Sequence, residues 1–460
     1  MDTLEDIRMR ISLPWLVLIF MAAHSIQGSA LASAELEKAI QFNVEKYQLK
    51  NGLTVLLQND SSIPAVSVQQ WFHVGSKDEV PGRTGLAHFF EHMMFKGTKK
   101  FGPDTWGQFL NSKGAELNAF TSEDYTGYYI NAPAEHLALL LEIESDRMRN
   151  LNLDPKDVSS EREVVKEERR MRTEDNIEGG IREKMGDMMF TTLPYHWQPI
   201  GSMADLNAAS MDDLHKFYKT YYSPGNAVLV VAGAFKVEDA KKLVEKFYGG
   251  IPKEEIIRPK ITQEEPQKEE RHASIEREAQ APTVMIGYRL PDLNSKDHYA
   301  LDLLSIILGR GNSSRLYRQL VYKSEMSLGA SASSWGQALA GEFSVGTSLK
   351  PKGDPQKAIK IIEEQIKALR DKPVTAKELE KAQNIVMTDY VGGLKTIAGR
   401  AHQLASYEIQ YGDYHRIFND LKEYGAVTVE DVQRVAKAYL QPTARNIVIV
   451  HPRNKAGGAT

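Results

Sequence analysis

The chain has 460 residues, no cysteine, a formal net charge of −4 and a pI near 6.3. Without thiols any metal must be held through nitrogen and oxygen, and mild acidity with no basic stripe argues against a nucleic-acid partner. The length exceeds what one hydrophobic core normally serves, so two or more domains are expected.

At the start of the chain, Arg8 and Arg10 precede an apolar run over 11–23, and Ala30-Leu31-Ala32 offers a small-x-small cleavage site before Ser33. This pattern reads as a signal peptide over 1–32, which places the mature chain in a periplasm or outside the cell. Asp2, Glu5 and Asp6 weaken the positive end, Met9 is an alternative start, and an uncleaved anchor is the rival reading. No later run reaches membrane-spanning length, so the mature chain is not expected to span a membrane.

Strand-like runs follow at 53–57 and 67–74, and then His88-Phe89-Phe90-Glu91-His92. Residues four apart share a helix face, so both imidazoles can reach one ion, with Glu91 beside them. Catalytic zinc commonly takes two imidazoles and a carboxylate and keeps one position open. A carboxylate next to that position can take the proton of an attacking water. The motif inverts the commoner His-Glu-x-x-His order and is a metallopeptidase signature of its own.

Further along, 125–130 reads as strand and 134–149 as helix. The next run, 161–170, reads as a helix whose Val164 and Val165 mark its buried side, with Glu161 and Glu168 flanking them. A carboxylate on a buried face needs a charged partner or a metal. Glu168 is the better candidate for the third ligand, and Glu161 for an auxiliary carboxylate that orients or polarises the site. Glu167 is expected to point more toward solvent, although spacing alone does not exclude it. His73, His136, His196 and His215 each lack a second ligand at useful spacing, and Tyr128 and Tyr129 read as packing.

The later elements repeat the earlier ones. Strand 66–72, Ser76-Lys77-Asp78 and a helix are echoed by 284–288, Ser295-Lys296-Asp297 and a helix, 219 residues on. Residues 211–221, Pro224 and strand 226–231 are echoed by 429–439, Pro442 and 446–450, with the prolines 218 apart. A domain-sized period means duplication. The intervening 251–273, rich in Glu, Lys, Gln and Pro, reads as a solvated linker. The expected organisation is therefore a signal peptide (1–32), a zinc-binding catalytic domain (33–250), a linker (251–273) and a homologous domain without the metal motif (274–460). In that second half, 299–308 has no histidine pair and reads as a packing helix, with Asp302 and Ser305 as local hydrogen-bonding groups. Helices are expected at 237–247, 355–369 and 376–400, and the glycine turn Gly309-Arg310-Gly311 lacks the Gly-Lys-Ser/Thr of a phosphate loop.

Together these residues resemble the pitrilysin-type (inverzincin, M16) zinc peptidases over about residues 40 to 455. The resemblance implies an α/β (α+β) fold of two homologous domains, each a mixed, mostly antiparallel sheet covered by helices, facing across a cleft. It implies one zinc per chain on His88, His92 and Glu168, with Glu91 as general base and Glu161 as a second glutamate supporting the site. The activity implied is hydrolysis of short or unfolded peptides. Segment 114–121 resembles the family's edge strand, whose backbone pairs with an extended substrate, which brings Asn118, Ala119 and Phe120 to the peptide. Residues 309–316 resemble a turn and helix start of the second domain.

Members of this class often add an arginine and a tyrosine, seven residues apart, from a second-half domain. The best-matching region, 341–352, offers Phe343 and Lys350 instead, and neither does the same job. A partner chain supplies the pair, or Lys350 or Lys352 substitutes, or the match is shifted. The expectation is an assembly, with a related second subunit as a heterodimer or as a homodimer. The alternative function is a non-catalytic scaffold or assembly subunit of the same fold.

Overall fold

The computed structural model describes residues 41–453, so the signal peptide expected over 1–32 lies outside the described residues. Two mixed sheets carry the architecture. The first holds β1 (Glu45–Gln48), β2 (Thr54–Asn59), β3 (Ala65–Phe72), β4 (Glu116–Thr121), β5 (Thr126–Pro133) and β6 (Ala227–Gly233), in the order β1-β2-β6-β3-β5-β4. The second holds β7 (Arg271–Arg277), β8 (Thr283–Leu290), β9 (Ser327–Trp335), β10 (Gly341–Leu349) and β11 (Asn446–Pro452), in the order β7-β11-β8-β10-β9. Each sheet has one parallel pair, β2 with β6 and β7 with β11, and is antiparallel elsewhere. Apart from β1 the two orders correspond strand for strand, as a duplicated chain requires.

In the first half the helices are α1 (Leu86–Met93), α2 (Gln108–Ser112), α3 (Leu137–Asn150), α4 (Pro155–Arg169), α5 (Ile177–Met189), α6 (Met203–Ala208), α7 (Met211–Tyr221) and α8 (Val237–Tyr248). The second half adds α9 (His298–Gly309), α10 (Pro355–Asp371), α11 (Ala376–Gly393), α12 (Ile397–Tyr411), α13 (Arg416–Ala426) and α14 (Val429–Tyr439). The repeat reaches the caps: α7 starts with a Ser210/Asp213 capping box and α14 with a Thr428/Asp431 box. In each, the hydroxyl and the carboxylate reciprocally satisfy helix N–H groups that have no partner inside the helix. Among the described residues no helix is long and apolar enough to cross a membrane.

The helix expected over 376–400 is broken in two. Gly392 and Gly393 end α11, and Thr396 accepts from Gly399 N to start α12. The break lets α12 cross to the other half, where Ile397, Ala401, Leu404 and Ala405 pack on Leu56, Trp71, Val228 and Val230 of the first sheet. In return α5 places Ile181, Met185 and Met189 against Val448 and Val450 of the second. Gly287 on β8 makes room for this, since a Cβ there would lie 2.6 Å from Met185 Sδ. Strand alternation puts Val55, Leu57, Val68 and Leu229 on the opposite face, in the first half's own core. Each sheet thus buries one face on its own helices and the other on a helix from the other half.

Residues 252–270 carry no helix or strand, but β7 opens at Arg271, within the stretch expected to be linker, because 271–277 pairs with β11. The stretch is also anchored: Glu264 accepts from the backbone N–H groups of Thr191, Thr192 and Leu193 at 2.8, 2.8 and 3.0 Å.

One buried ion pair braces the first half. Arg147 donates Nε and Nη2 to Glu144 Oε2 at 2.9 and 2.6 Å, with its guanidinium over the rings of Trp106 and Tyr128. Removing one partner strands a charge in a dry site, at a cost of about 3–5 kcal/mol. Arg147→Met is therefore expected to lower unfolding free energy by that order in urea denaturation. A loss no larger than that of a surface arginine substitution contradicts this bracing role.

Candidate metal centre

Helix α1 buries Leu86, Ala87, Phe89, Phe90 and Met93 in the first core, and Phe90 stacks on Phe217 and Tyr218. The side chains left at i, i+3 and i+4 are His88, Glu91 and His92. Helix α4 starts at Pro155, with Asp154 accepting from Lys156 N, and buries Val158, Glu161, Val165 and Arg169. Val164 does not share that stripe: it is 48 % exposed, while Val165 is fully buried. At 100° per residue, position 164 turns away from the line through 158, 161, 165 and 168. Glu167 also points out, paired with Arg170 at 2.6 Å.

The two helices pack together, and ligand atoms of His88, His92 and Glu168 all lie within 4.8 Å of one another. His92 Nε2 is 3.0 Å from Glu168 Oε2, and His88 Nε2 is 3.8 Å from Glu168 Oε1. Glu161 stands behind this group, accepting from His92 Nδ1 at 2.8 Å and pairing with Lys96 Nζ at 2.5 Å. Glu91 Oε2 accepts from Thr121 Oγ1 of β4 at 2.7 Å. Arg172, in a π-helical turn that follows α4, places Nη1 2.8 Å from Glu168 Oε1.

Burial brings His88 down to about 4, with His92 adding to the effect. Burial also acts downward on His92, but hydrogen bonds to Glu161 and Glu168 outweigh it and carry the imidazole up to about 9. Those same bonds to His92 hold Glu161 and Glu168 below the usual carboxylate range. Burial raises Glu91, against the hydrogen bond from Thr121. Two imidazole nitrogens and one carboxylate, converging, are a donor set that suits zinc. His88 turns Nε2 toward Glu168, while its other ring nitrogen, Nδ1, is buried without a hydrogen-bond partner.

Asn118, Ala119 and Phe120 lie on β4, the outermost strand of the first sheet, whose other edge pairs with no strand among the described residues. Asn118 Oδ1 accepts from Ala119 N at 2.8 Å. The Phe120 ring packs edge-on to Trp71 at 4.8 Å and lies near His402, so this side chain is largely committed to an aromatic cluster. Thr121, one residue on, is the strand's direct link to Glu91.

The other histidines serve locally. His196 and His215 bond Leu193 O and Met211 O through Nδ1, His136 neighbours Glu135, and His73 lies apart from the metal-ligand group. Asp302 accepts from Tyr424 OH and Ser305 donates to Asp302 O within the packing helix α9. Phe343 is fully buried in the second core, and Lys350 and Lys352 sit exposed beyond β10. Arg172, by contrast, is ion-paired to Glu168 of the candidate ligand group, at i+4 on the same helical path. That spacing was visible in the sequence; its use was not. Lys96, i+4 from His92, was missed for the same reason.

Two family models cover most of the chain: insulinase (peptidase family M16) over residues 54–190, and peptidase M16 inactive domain over 208–386. The chain belongs to peptidase family M16. This M16 chain is 32 % identical over 427 residues to the zinc protease PqqE of Helicobacter pylori, spanning 89 % of this chain and 93 % of that one. An uncharacterized zinc protease of Mycobacterium leprae is 29 % identical over 427 residues, spanning 90 % and 93 %. The crystal structure of a protease from Helicobacter pylori matches with a TM-score of 0.85 at 30 % identity, covering 89 % of this chain and 100 % of that one. The periplasmic protease PqqL of Escherichia coli shares the fold at a TM-score of 0.74 and 19 % identity, and the match covers 48 % of its length. The names of these relatives support a protease-type function for the M16 chain and imply zinc. The inactive-domain model lies outside the segment that holds the metal-ligand group.

Proposed function

We propose that this chain is a zinc-dependent endopeptidase that cleaves short or unfolded peptides, with one zinc per chain. The observation that carries the reading is the convergence of His88, His92 and Glu168 with Glu91 and the open edge of β4 beside them. His88 and His92 would hold the ion through Nε2 and Glu168 through a carboxylate oxygen. Zinc there supplies Lewis acidity toward a scissile carbonyl and makes water acidic enough to react at neutral pH. Glu91 takes the proton of the attacking water and passes it to the departing amine. Thr121 fixes the Glu91 carboxylate, and Glu161 orients the His92 ring through Nδ1. The peptide lies extended along β4, main chain to main chain, past Asn118, Ala119 and Phe120, which favours unfolded over compact substrates.

The remaining parts of the reading follow the sequence, with the second domain starting at β7: residues 33–250 as the catalytic domain and 271–460 as a homologous domain without metal residues, exported after removal of 1–32. A periplasmic location is in keeping with the description of PqqL as a periplasmic protease. Assembly with a related second subunit, or as a homodimer, would complete oxyanion stabilisation, since Phe343 is buried in a core. That burial is also what favours the second reading, a non-catalytic assembly subunit.

One experiment separates these. The purified chain is analysed for zinc, its mass is measured by light scattering, and its cleavage of an unfolded peptide is followed with and without chelator. About one zinc per chain, chelator-sensitive cleavage and a mass above that of a monomer are expected. Zinc bound with no cleavage, alone or with a co-purifying partner, favours the subunit reading. Absence of zinc sinks the proposal, and full turnover by a monomer removes the assembly part.

A further inference from the structure

A helix leaves its first N–H groups without partners, and a side chain at the N-cap normally satisfies them. Helix α1 cannot use that solution. Its N-cap is Gly85, in the left-handed region at φ 92°, and a Cβ there would lie 2.8 Å from Ile200 O and 3.1 Å from Gly201 Cα. The position thus excludes serine, threonine, aspartate and asparagine, and no acidic residue lies in the first turn. The missing acceptor comes from six residues upstream. Glu79, buried at 4 % exposure, accepts from Gly85 N at 2.8 Å with Oε2 and from Ala87 N at 2.7 Å with Oε1. A carboxylate at this end of a helix also meets the positive end of its dipole.

The helix so held is eight residues long and carries His88, Glu91 and His92. Ala87, whose N–H Glu79 holds, immediately precedes His88. A short helix has few hydrogen bonds of its own to fix its rotation, and metal ligands must be placed within a few tenths of an ångström. We infer that Glu79 is a positioning residue of the metal centre, setting zinc affinity and ligand geometry by fixing the start of α1. The inference rests on the zinc reading above.

Glu79→Gln tests it, because glutamine keeps the size but offers one acceptor and turns an NH2 toward the second backbone N–H. Glu264→Gln is the control, since Glu264 also binds backbone N–H groups, three against the two of Glu79, but belongs to the 252–270 stretch. Zinc affinity is measured on the full chain by competition with a chromogenic chelator, together with the visible spectrum of the cobalt-loaded protein and the thermal midpoint. Groups that orient ligands typically change metal affinity 10–100-fold when altered. Glu79→Gln is expected to weaken zinc binding by about that factor and to shift the cobalt spectrum. Glu264→Gln is expected to lower the midpoint while leaving affinity and spectrum unchanged. If Glu79→Gln does not fold, Glu79→Asp, which keeps the charge but shortens the reach, is read by the same criteria. Unchanged zinc affinity and spectrum in a folded Glu79 variant overturn this inference alone. A wild-type chain that binds no zinc overturns the zinc reading and this inference together.

Discussion

Glu91→Gln is expected to abolish peptide cleavage while leaving zinc content and thermal midpoint where they were. The substitution removes the group that would take a proton from water but keeps the shape of the side chain. Its amide oxygen can still accept from Thr121 Oγ1, now 2.7 Å from Glu91 Oε2, so the packing between α1 and β4 survives. A positioned general base contributes a rate factor of about 10²–10⁴, equivalent to roughly 3–5 kcal/mol of barrier. Retained zinc separates this loss from a collapse of the site. The measurement is cleavage of an unfolded peptide by the two proteins at matched zinc content. Equal rates would falsify the role given to Glu91.

The parts of this molecule that local periodicity controls were legible in the sequence. The His88, Glu91 and His92 spacing reads directly as one helix face, and Glu161 and Glu168, seven apart, read as neighbours on another. The duplication was visible because Ser76-Lys77-Asp78 and Pro224 recur in register with the strands and helices they introduce. What stayed hidden depends on which distant segment an element meets. The stretch 376–400 has the apolar pattern of one helix, but Gly392 and Gly393 stop it and Thr396 caps a new one, and the crossing of α12 to the first sheet is what that break serves. Val164 is as apolar as Val165, yet it faces outward, since it turns away from the side on which Val158, Glu161 and Val165 are buried. Glu79 looks like any acidic loop residue until Gly85 is seen pressed on Ile200 O, with no room for a cap of its own. Arg172 and Lys96 sat at i+4 from Glu168 and His92, a spacing too common on helices to single them out.

Glu168→Gln is expected to lose zinc, whereas Glu161→Gln keeps it with weakened affinity. The two glutamates share a helix face but meet His92 from different sides. Glu168 approaches Nε2 at 3.0 Å and His88 Nε2 at 3.8 Å, the positions from which an ion would be gripped. Glu161 occupies Nδ1 at 2.8 Å and is itself held by Lys96. Replacing Glu168 by glutamine removes the one negative charge of the proposed ligand set and leaves a neutral amide, a poor zinc donor. A glutamine at 161 can still accept from Nδ1–H and keep the ring oriented, but it forfeits the pair with Lys96 and part of the basicity lent to His92. Partners of that kind typically tune metal affinity 10–100-fold, so Glu161→Gln should still fill with zinc when the metal is in excess. Metal analysis after dialysis against a weak chelator, followed by titration back with zinc, distinguishes the two. Full zinc in Glu168→Gln with none in Glu161→Gln reverses the assignment, and places the ion on the Nδ1 side of His92.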